Sequence, residues 1–425
     1  MLIEFSVTNY LSFRETATFS MAAATRLKKK ENTFIPLVDG EKLPALLKVV
    51  AVYGPNASGK SNLIKALGIF HVFALLKPSA TPSALPVTPF RFDPALRDQP
   101  SRFEVHFVTN RQRYQFDLAA TTERIVEERL TAFPKGKETL LYERKYGSQG
   151  EEYQFGEKLE GGKELHQAWR KLTGPQVLFI TQAVANSSEE LQQLRTPFMW
   201  LEKGMLLAGT NMRNWAHATQ ALARDFPHIS KEISAFLKDL DVPIAAIKFN
   251  DEGPRFSEIK KLTDEDLADE KQREIFEAAH LNKTTLTHST ALGTADFSFD
   301  EESDGTKGLM GFWLPWDMVS TAELKGMKTL IVDELDSSLH PEIVRALVSK
   351  LLKFDSPVQL IFTTHDTHLM NTRLLRRDQF WLTERDINGA TALRSIHDFE
   401  GREGEDIEKR YFHGRYRSLP LLRKD

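Results

Sequence analysis

The sequence predicts an α/β fold built on a mixed sheet, and three observations lead to this prediction. An apolar run at residues 48–53 leads into a glycine-rich loop, and a helical pattern follows the loop. A second apolar run at 329–332 ends in two carboxylates, and a third at 358–364 ends at a histidine. Apolar runs that are joined by helices are typical of parallel strands covered on both faces.

Strand patterns dominate the rest of the first 155 residues. Residues 2–7 alternate apolar and polar side chains, as a half-buried strand does. After a proline-rich connector at 78–94, the runs 103–108 and 114–118 alternate in the same way and are separated by polar residues, which predicts an antiparallel hairpin. Further short strands are expected as far as about Phe155. We therefore expect an antiparallel β-subdomain beside the mixed sheet.

The pattern turns helical and polar between about residues 189 and 290. The clearest helical pieces are 215–225, 229–240 and the highly charged 263–280. Just before this region, the apolar run 177–182 predicts one more short strand, which ends at Gln182. The apolar spacing does not persist long enough for an extended coiled coil.

The C-terminal part returns to alternating strands and helices. Pro341 opens a helix whose apolar residues recur at i and i+4, and residues 380–383 predict a last strand. The changes of pattern along the chain predict three segments: a first lobe at 1–185, a helical insertion at 186–290 and a second lobe at 291–425.

Composition excludes several classes of protein. The 425 residues are 41% hydrophobic and 27% charged, with a formal net charge of −3, so any nucleic-acid contact must come from a local basic patch. Cysteine is absent, which excludes disulfides, thiolate catalysis and cysteine-based metal sites. The N-terminus lacks a signal-peptide pattern, and no run approaches the ~20 apolar residues of a membrane helix. We expect a cytoplasmic protein with no membrane partner.

Residues 54–61 fit the pattern G-x-x-x-x-G-K-[ST] of a phosphate-binding loop. The loop consists of Gly54, Pro55, Asn56, Ala57, Ser58, Gly59, Lys60 and Ser61. Two glycines let the backbone curl so that successive N–H groups point at the β- and γ-phosphates, and the following helix adds the positive end of its dipole. We expect Lys60 to bridge these phosphates and Ser61 to bind Mg²⁺. ATP with Mg²⁺ is the predicted ligand.

Asp333 and Glu334 follow the apolar run at 329–332, as the carboxylates of a Walker B strand do. A buried strand delivers such residues to the edge of the site. Asp333 is expected to reach the shell of the Mg²⁺ ion and Glu334 to polarise the attacking water. His365 ends the next apolar strand along the chain, where its side chain would face the same phosphate, and it is a candidate γ-phosphate sensor.

The segment Ser303-Asp304-Gly305-Thr306 has two interpretations when it is considered alone. A serine hydroxyl and the N–H groups around a glycine can form a second anion-binding nest. Asp304 is a poor neighbour for a phosphate, however, and the residues by themselves indicate a turn.

Taken together, these elements resemble the ABC-type ATPases of the SMC, Rad50 and RecF group. Within it they are most similar to the single-chain AAA ATPases of phage defence, of the AbiLi and RloA kind, which are similar to the ATPase half of OLD nucleases. The resemblance rests on the blocks 7–13, 54–61, 302–307, 333–341, 363–365 and 414–416. It implies a P-loop NTPase fold of the ABC/SMC-head type.

The resemblance also implies roles that the residues alone do not show. Ser303, Gly305 and Thr306 match the signature motif, which contacts the γ-phosphate of ATP bound by the opposite subunit. Asp336, Ser337 and Ser338 match the D-loop, which crosses the dimer interface. His365 matches the switch histidine, and Gln182 is the best candidate for the Q-loop glutamine. The implied partner is a second copy, as a homodimer or a higher homo-oligomer.

Three functions stay open at this point. One is a defence ATPase that senses infection and regulates a separately encoded effector, a nuclease or toxin; no nuclease site is evident in the chain itself. Another is a DNA-repair ATPase of the RecF or Rad50 kind that acts directly on DNA, and a third is a nucleotide-gated scaffold with little turnover. The basic and aromatic residues at 409–417 fit either a nucleic-acid platform or a packed helix, and we favour the packed helix.

Overall fold

The computed structural model describes residues 1–79, 83–209, 212–249, 284–320, 328–402, 404–416 and 418–419. The predicted charged helix at 263–280 lies outside these ranges. The α-helices within them are α1 (Lys60–Leu67), α2 (Ile69–Leu75), α3 (Gly162–Leu172), α4 (Phe179–Ala185), α5 (Gln192–Lys203), α6 (Met212–Asp225), α7 (Pro227–Lys238), α8 (Asp304–Ser320), α9 (Pro341–Leu352) and α10 (Ile407–Phe412). In the described part of the chain, no helix combines the length and the apolar content that crossing a bilayer requires.

The strands confirm most of the elements predicted from periodicity. Those in the first half are β1 (Leu2–Thr8), β2 (Ala17–Ser20), β3 (Thr33–Phe34), β4 (Leu46–Leu47), β5 (Val49–Tyr53), β6 (Ser101–Thr109), β7 (Gln112–Ala120), β8 (Ile125–Ala132), β9 (Thr139–Gly147) and β10 (Gly150–Phe155). Those that follow are β11 (Met205–Ala208), β12 (Ile244–Phe249), β13 (Thr284–Thr290), β14 (Gly293–Ser298), β15 (Thr329–Val332), β16 (Gln359–Thr363), β17 (Phe380–Arg385) and β18 (Thr391–Ser395).

The chain divides into two compact units. The first unit consists of Met1–Leu207, Leu324–Asp333 and Ser349–Asp425, and the second consists of Ala208–Glu323 and Glu334–Val348. The first unit therefore contains the glycine-rich loop and Asp333, whereas the second contains Glu334 and the Ser303 segment. The boundaries of the three segments that the changes of sequence pattern predict, at 185 and 290, stay a prediction.

The first unit contains a seven-stranded antiparallel sheet in the order β10-β9-β8-β7-β6-β1-β2. Strands β6 and β7 pair with Phe103 opposite Leu118, which confirms the predicted hairpin. Phe103, Val105 and Phe107 are buried on one face, and the residues between them on β6 are charged or polar. One face of the sheet thus covers the core, and the other carries polar side chains, as alternation predicts.

The mixed sheet has six strands in the order β11-β15-β16-β5-β17-β18. Strands β15, β16, β5 and β17 run parallel to one another, and β18 runs antiparallel to β17. Every residue of β5, β15 and β16 is buried, as expected for strands covered on both faces. The carboxyl ends of these strands share one edge, so the segments that follow them lie together. The predicted α/β fold of the P-loop NTPase type is confirmed.

The second unit combines helices with a small antiparallel sheet. Helix α6 packs against α8, and α7 packs against β12 in the sheet β12-β13-β14. The helical pattern predicted for about 189–290 is therefore interrupted by β12 and β13, and also by β11. These strands are short and are stabilised by pairing with other strands. The spacing of apolar residues within one stretch of sequence does not reveal such pairing.

The predicted strand at 177–182 is also wrong, because this segment forms the helix α4. The Glu128 carboxylate, on β8, accepts hydrogen bonds from the backbone N–H groups of Phe179 (2.7 Å) and Ile180 (3.1 Å). It thereby satisfies the first N–H groups of the helix, which have no partner within it. A contact from a distant strand overrides the β-propensity of the apolar run.

The basic and aromatic residues near the C-terminus are only partly packed into the first unit, since Lys409, Phe412 and Arg415 are exposed. Tyr411 and Tyr416 are buried, and the Tyr411 hydroxyl donates to the Ser418 carbonyl at 2.9 Å. Arg410 pairs with Glu405. The two buried rings cannot stack on bases, but the exposed Phe412 can, so the choice between a packed helix and a nucleic-acid platform stays a prediction.

Candidate nucleotide-binding site

The glycine-rich loop connects β5 to α1 with a backbone that depends on its two glycines. Gly54 and Gly59 have φ angles of 156° and 106°, which residues with a Cβ atom rarely adopt. A Cβ atom on Gly54 would lie 2.2 Å from the Oγ1 of Thr383, and one on Gly59 would lie 2.1 Å from the Oγ1 of Thr391. Conformation and close packing therefore both require glycine at these positions.

The Lys60 side chain lies inside the loop. Its ammonium donates to the carbonyl of Gly54 at 2.8 Å and to that of Pro55 at 3.2 Å, and only 6% of the residue is exposed. Lys60 is the first residue of α1, and the half-buried Ser61 follows it. A helix N-terminus with an enclosed ammonium is an electropositive cradle suited to phosphate groups.

Asp333 is fixed by the neighbouring strand. It directly follows β15, it is 7% exposed, and its Oδ1 accepts a hydrogen bond of 2.6 Å from the hydroxyl of Thr363 at the end of β16. Thr363 itself is fully buried. A buried carboxylate held by a hydroxyl donor keeps one orientation, and its second oxygen remains to bind another group.

His365 follows β16, as predicted, and its side chain is exposed. The strand stays paired with the loop-bearing strand almost to the histidine, because the N–H of Thr364 donates to the Val52 carbonyl at 3.1 Å. Behind the histidine, Asp366 caps a single helical turn by accepting from the N–H of His368 at 3.0 Å. The predicted strand is confirmed, and the sensor role of His365 stays a prediction.

Glu334 begins a tight turn that contains the predicted D-loop residues Asp336, Ser337 and Ser338. Glu334 and Ser338 have φ angles of 54° and 59°, and the N–H of Ser337 donates to the Glu334 carbonyl at 2.9 Å. The Glu334 side chain is half-buried. Residues held in this sparsely populated region tend to occur at functional sites.

The Ser303 segment begins a helix, and the turn indicated by its residues alone is wrong. The Ser303 hydroxyl accepts from the N–H of Thr306 at 3.1 Å, and this N-cap starts α8. Thr306 is buried, and its hydroxyl lies 3.0 Å from that of Ser303. A Cβ atom on Gly305 would lie 2.8 Å from the Ser338 carbonyl, so the predicted signature glycine packs directly against the turn of the predicted D-loop residues.

Gln182 lies on α4, where its side-chain amide donates to the Leu172 carbonyl at 3.0 Å. It therefore does not end a strand, and its predicted role as the Q-loop glutamine has no support from the strand position on which that prediction depended. Its contact with a nucleotide stays a prediction.

Several residues that support the loop are absent from the sequence-based prediction. Thr383 on β17 and Thr391 on β18 contact the loop through their hydroxyls, and Ser12 contacts Thr391 and Asn62. No motif marks these residues. Their positions beside the loop become informative only once the strand order is known.

A protein-family model described as "AAA domain, putative AbiEii toxin, Type IV TA system" matches residues 49–168 and 199–371. The match covers more than half of the chain and includes the glycine-rich loop, Asp333, Glu334 and His365. The chain belongs to this family. It is thus an AAA-family chain, and the nucleotide-binding role of its glycine-rich loop stays a prediction.

Two solved structures are similar to this AAA chain over most of its length. The SMC head domain from Thermotoga maritima is 14% identical, with 93% of this chain and 98% of that chain covered and a TM-score of 0.40. An SMC head bound to the C-terminal winged-helix domain of ScpA is 11% identical, with 93% and 97% covered and a TM-score of 0.45. Family membership does not depend on these distant similarities. No curated protein matches the chain in sequence.

The residues at this edge of the sheet suit ATP and Mg²⁺. Since β16 alone separates β15 from β5, the strand ends that carry Asp333 and the loop are ~10 Å apart, a distance that a triphosphate with its metal can bridge. Within the described residues, no cluster of three or more His, Cys, Asp or Glu side chains could hold a metal alone. A hydroxyl and one carboxylate, completed by phosphate and water oxygens, match the way Mg²⁺ is usually bound.

Proposed function

We propose that this chain binds and hydrolyses ATP, dimerises around ATP, and in doing so regulates a separately encoded effector in defence against phage. One observation carries the enzymatic part of the proposal. The enclosed ammonium of Lys60 and the oriented carboxylate of Asp333 belong to segments that follow parallel strands at the same edge of the mixed sheet.

Nucleotide binding is assigned to the loop. The N–H groups at the start of α1 and the backbone of residues 54–59 would donate to the β- and γ-phosphates. Lys60 would exchange its carbonyl partners, Gly54 and Pro55, for phosphate oxygens. Because those carbonyls are neutral, a phosphate is the stronger acceptor for the ammonium.

Hydrolysis is assigned to the residues that follow β15 and β16. Ser61 and Asp333 would hold Mg²⁺, which offsets charge on the phosphates when it is bound. Glu334 would accept a proton from the attacking water, and His365 would donate to the γ-phosphate. The hydrogen bond from Thr363 keeps Asp333 oriented for this task.

Dimerisation is assigned to the second unit. The N-terminal N–H groups of α8 and the exposed Ser303 would meet the γ-phosphate of ATP bound by the other copy. The packing of Gly305 against Ser338 joins the signature and the D-loop into one surface, which supports their acting together. Loss of the γ-phosphate would remove these contacts and release the dimer.

The family description names a putative AbiEii toxin and a Type IV TA system, which is compatible with a role for this chain beside a second component. Regulation of a partner in phage defence is supported by the resemblance to phage-defence ATPases. The effector would be a nuclease or another toxin. As part of this proposal, the chain is related to the AbiLi and RloA ATPases and to the ATPase half of OLD nucleases.

The enzymatic proposal is tested by comparing three variants with the wild type. Lys60→Ala should abolish binding of ATP with Mg²⁺, and Glu334→Gln should bind ATP, stop hydrolysis and accumulate dimers that analytical ultracentrifugation detects. Lys65→Ala, at an exposed position of α1, is the matched charge control and should behave as wild type. Normal hydrolysis by Glu334→Gln would show that the base is misassigned.

The cellular proposal is tested by phage challenge of cells that carry this gene with or without its neighbouring gene. Protection that requires both genes and is lost with Lys60→Ala supports it. ATPase activity stimulated by DNA, with steeply salt-dependent binding, would instead favour the repair ATPase. An intact phenotype with Glu334→Gln would favour the nucleotide-gated scaffold.

A further inference from the structure

Two threonines of one hairpin hold the phosphate loop at both of its ends. The hairpin consists of β17 and β18, which pair in an antiparallel manner, and β17 also lies parallel to the loop-bearing β5. Thr383 lies on β17 and Thr391 begins β18. Both residues are buried, so their hydroxyl groups need partners within the protein.

Thr383 contacts the loop at Ser58 and lies beside Gly54. In the parallel register Leu382 lies opposite Tyr53, which places Thr383 beside Gly54. Its Oγ1 lies 2.5 Å from the Ser58 hydroxyl and donates to the Tyr53 carbonyl at 3.2 Å. The missing side chain of Gly54 makes room for this hydroxyl.

Thr391 contacts the second half of the loop. Its Oγ1 lies 2.8 Å from the Ser58 carbonyl and 2.7 Å from the Ser12 hydroxyl. The Thr391 N–H donates to the Ser12 carbonyl at 2.7 Å, and the side chain of Asn62, on α1, donates to the Ser12 hydroxyl at 2.8 Å. The same residue thus reaches the loop, the N-terminal segment and, through Ser12, the helix behind the loop.

We infer that Thr383 and Thr391, supported by Ser12, are positioning residues that keep the phosphate loop in its binding conformation. The inference deepens the proposed function, on which it rests, because it concerns the same loop. None of the three side chains is required to touch the nucleotide. They act through Ser58 and the two glycines.

The physical reason is that the loop has little regular structure of its own. Ala57 has a strained φ angle of 61°, and the backbones of Gly54 and Gly59 can adopt many other conformations, so the loop depends on outside contacts to keep this one. When only a fraction of molecules has the loop in the binding conformation, the apparent affinity for nucleotide falls to that fraction of its intrinsic value. Loss of a hydroxyl partner should therefore weaken ATP binding.

The test compares isosteric and conservative variants. Thr391→Val removes the hydroxyl and keeps the shape, and one hydrogen bond of ordinary strength corresponds to a rise of about 3- to 10-fold in the Kd of a fluorescent ATP analogue with Mg²⁺. Thr391→Ser keeps the hydroxyl and should restore binding. Thr383→Val and Thr383→Ser should show the same contrast.

The matched control is Thr329→Val, at the opposite end of β15 in the same sheet. Thr329 is fully buried and its hydroxyl donates to Gln359 at 3.0 Å, so the variant also loses a buried hydrogen bond. It should lower the melting temperature as Thr391→Val does and leave the Kd unchanged. If the Kd rises equally in Thr329→Val, the weaker binding results from general destabilisation of the protein, and the inference is overturned.

Wild-type binding is measured first, since a wild type that takes up no ATP contradicts the proposed function itself. Given wild-type binding, an unchanged Kd in both threonine-to-valine variants overturns the inference alone. Should Thr391→Val fail to fold, Ser12→Ala at a half-buried position provides the test. A Kd raised by at least about threefold in Ser12→Ala supports the inference, and an unchanged Kd overturns it.

Discussion

Replacing Thr363 with valine should raise the Mg²⁺ concentration that the protein needs to bind and hydrolyse ATP. The change keeps the shape of the side chain and removes the hydroxyl that donates to Asp333 at 2.6 Å. Asp333 would remain at the end of β15 with its charge intact and would lose the contact that fixes its orientation. The metal would then have to order the carboxylate as it binds.

The magnitude follows from the burial of the two groups. Thr363 is 0% exposed and Asp333 is 7% exposed, so water replaces the lost donor poorly. A hydrogen bond to a charged group contributes about 1.5–3 kcal/mol, and this sets the expected loss of folding stability. If about half of that energy orients the carboxylate, Mg²⁺ binding weakens by about 0.8–1.5 kcal/mol, which is about 4- to 13-fold.

The assay is a Mg²⁺ titration of binding of a fluorescent ATP analogue, followed by the same titration of phosphate release. Thr363→Ser retains the hydroxyl and should titrate as wild type. Thr329→Val is again the control, because it loses a buried hydrogen bond to the neutral Gln359 and touches no carboxylate. A Thr363→Val titration that coincides with wild type, despite lower stability in urea, would refute the orienting role.

Three further predictions concern other parts of the first unit. Gly59→Ala should abolish ATP binding, measured with the same analogue, because its Cβ would lie 2.1 Å from the Thr391 hydroxyl. Burial raises the pKa of Asp117 from 3.8 to about 6, so the native state holds this proton more tightly than the unfolded chain. Wild-type stability relative to Asp117→Asn should therefore fall as the pH rises from about 4 to about 6 and then level off, as urea unfolding at each pH will show. Glu128→Ala should destabilise by ~3–5 kcal/mol in urea unfolding, since Arg144 and the N–H groups of α4 lose a fully buried partner; loss below ~1 kcal/mol would contradict this.

The elements that the sequence predicts correctly are those whose signal is local. The run at 48–53 is apolar at almost every position and ends at Gly54, and β5 with the loop and α1 appear where expected. The pairing of β6 with β7 follows from alternation and a short polar connection. The strand before His365 likewise follows from an unbroken apolar run.

The elements that the sequence misses depend on contacts across long separations in the chain. Helix α4 exists because Glu128, about 50 residues earlier, caps it, and no window around Gln182 contains that information. The supporting role of Thr391 depends on β18 lying beside β17 and on Ser12 lying beside both. A threonine at a strand end is otherwise indistinguishable from any other strand residue.

The distribution of the site over the chain has a consequence for how ATP would act on the protein. The groups that form or support the phosphate loop come from positions as far apart as Ser12 and Thr391, and all of them belong to the first unit. Unfolding of that unit would destroy the loop, so ATP at 100 times its Kd should stabilise the unit by about 2.7 kcal/mol without any need for a second copy. Ser303 and Ser338 belong to the second unit. In the proposed dimer, Ser303 and Ser338 lie next to nucleotide that is bound by the other copy. Stabilisation of the second unit by ATP should therefore depend on protein concentration.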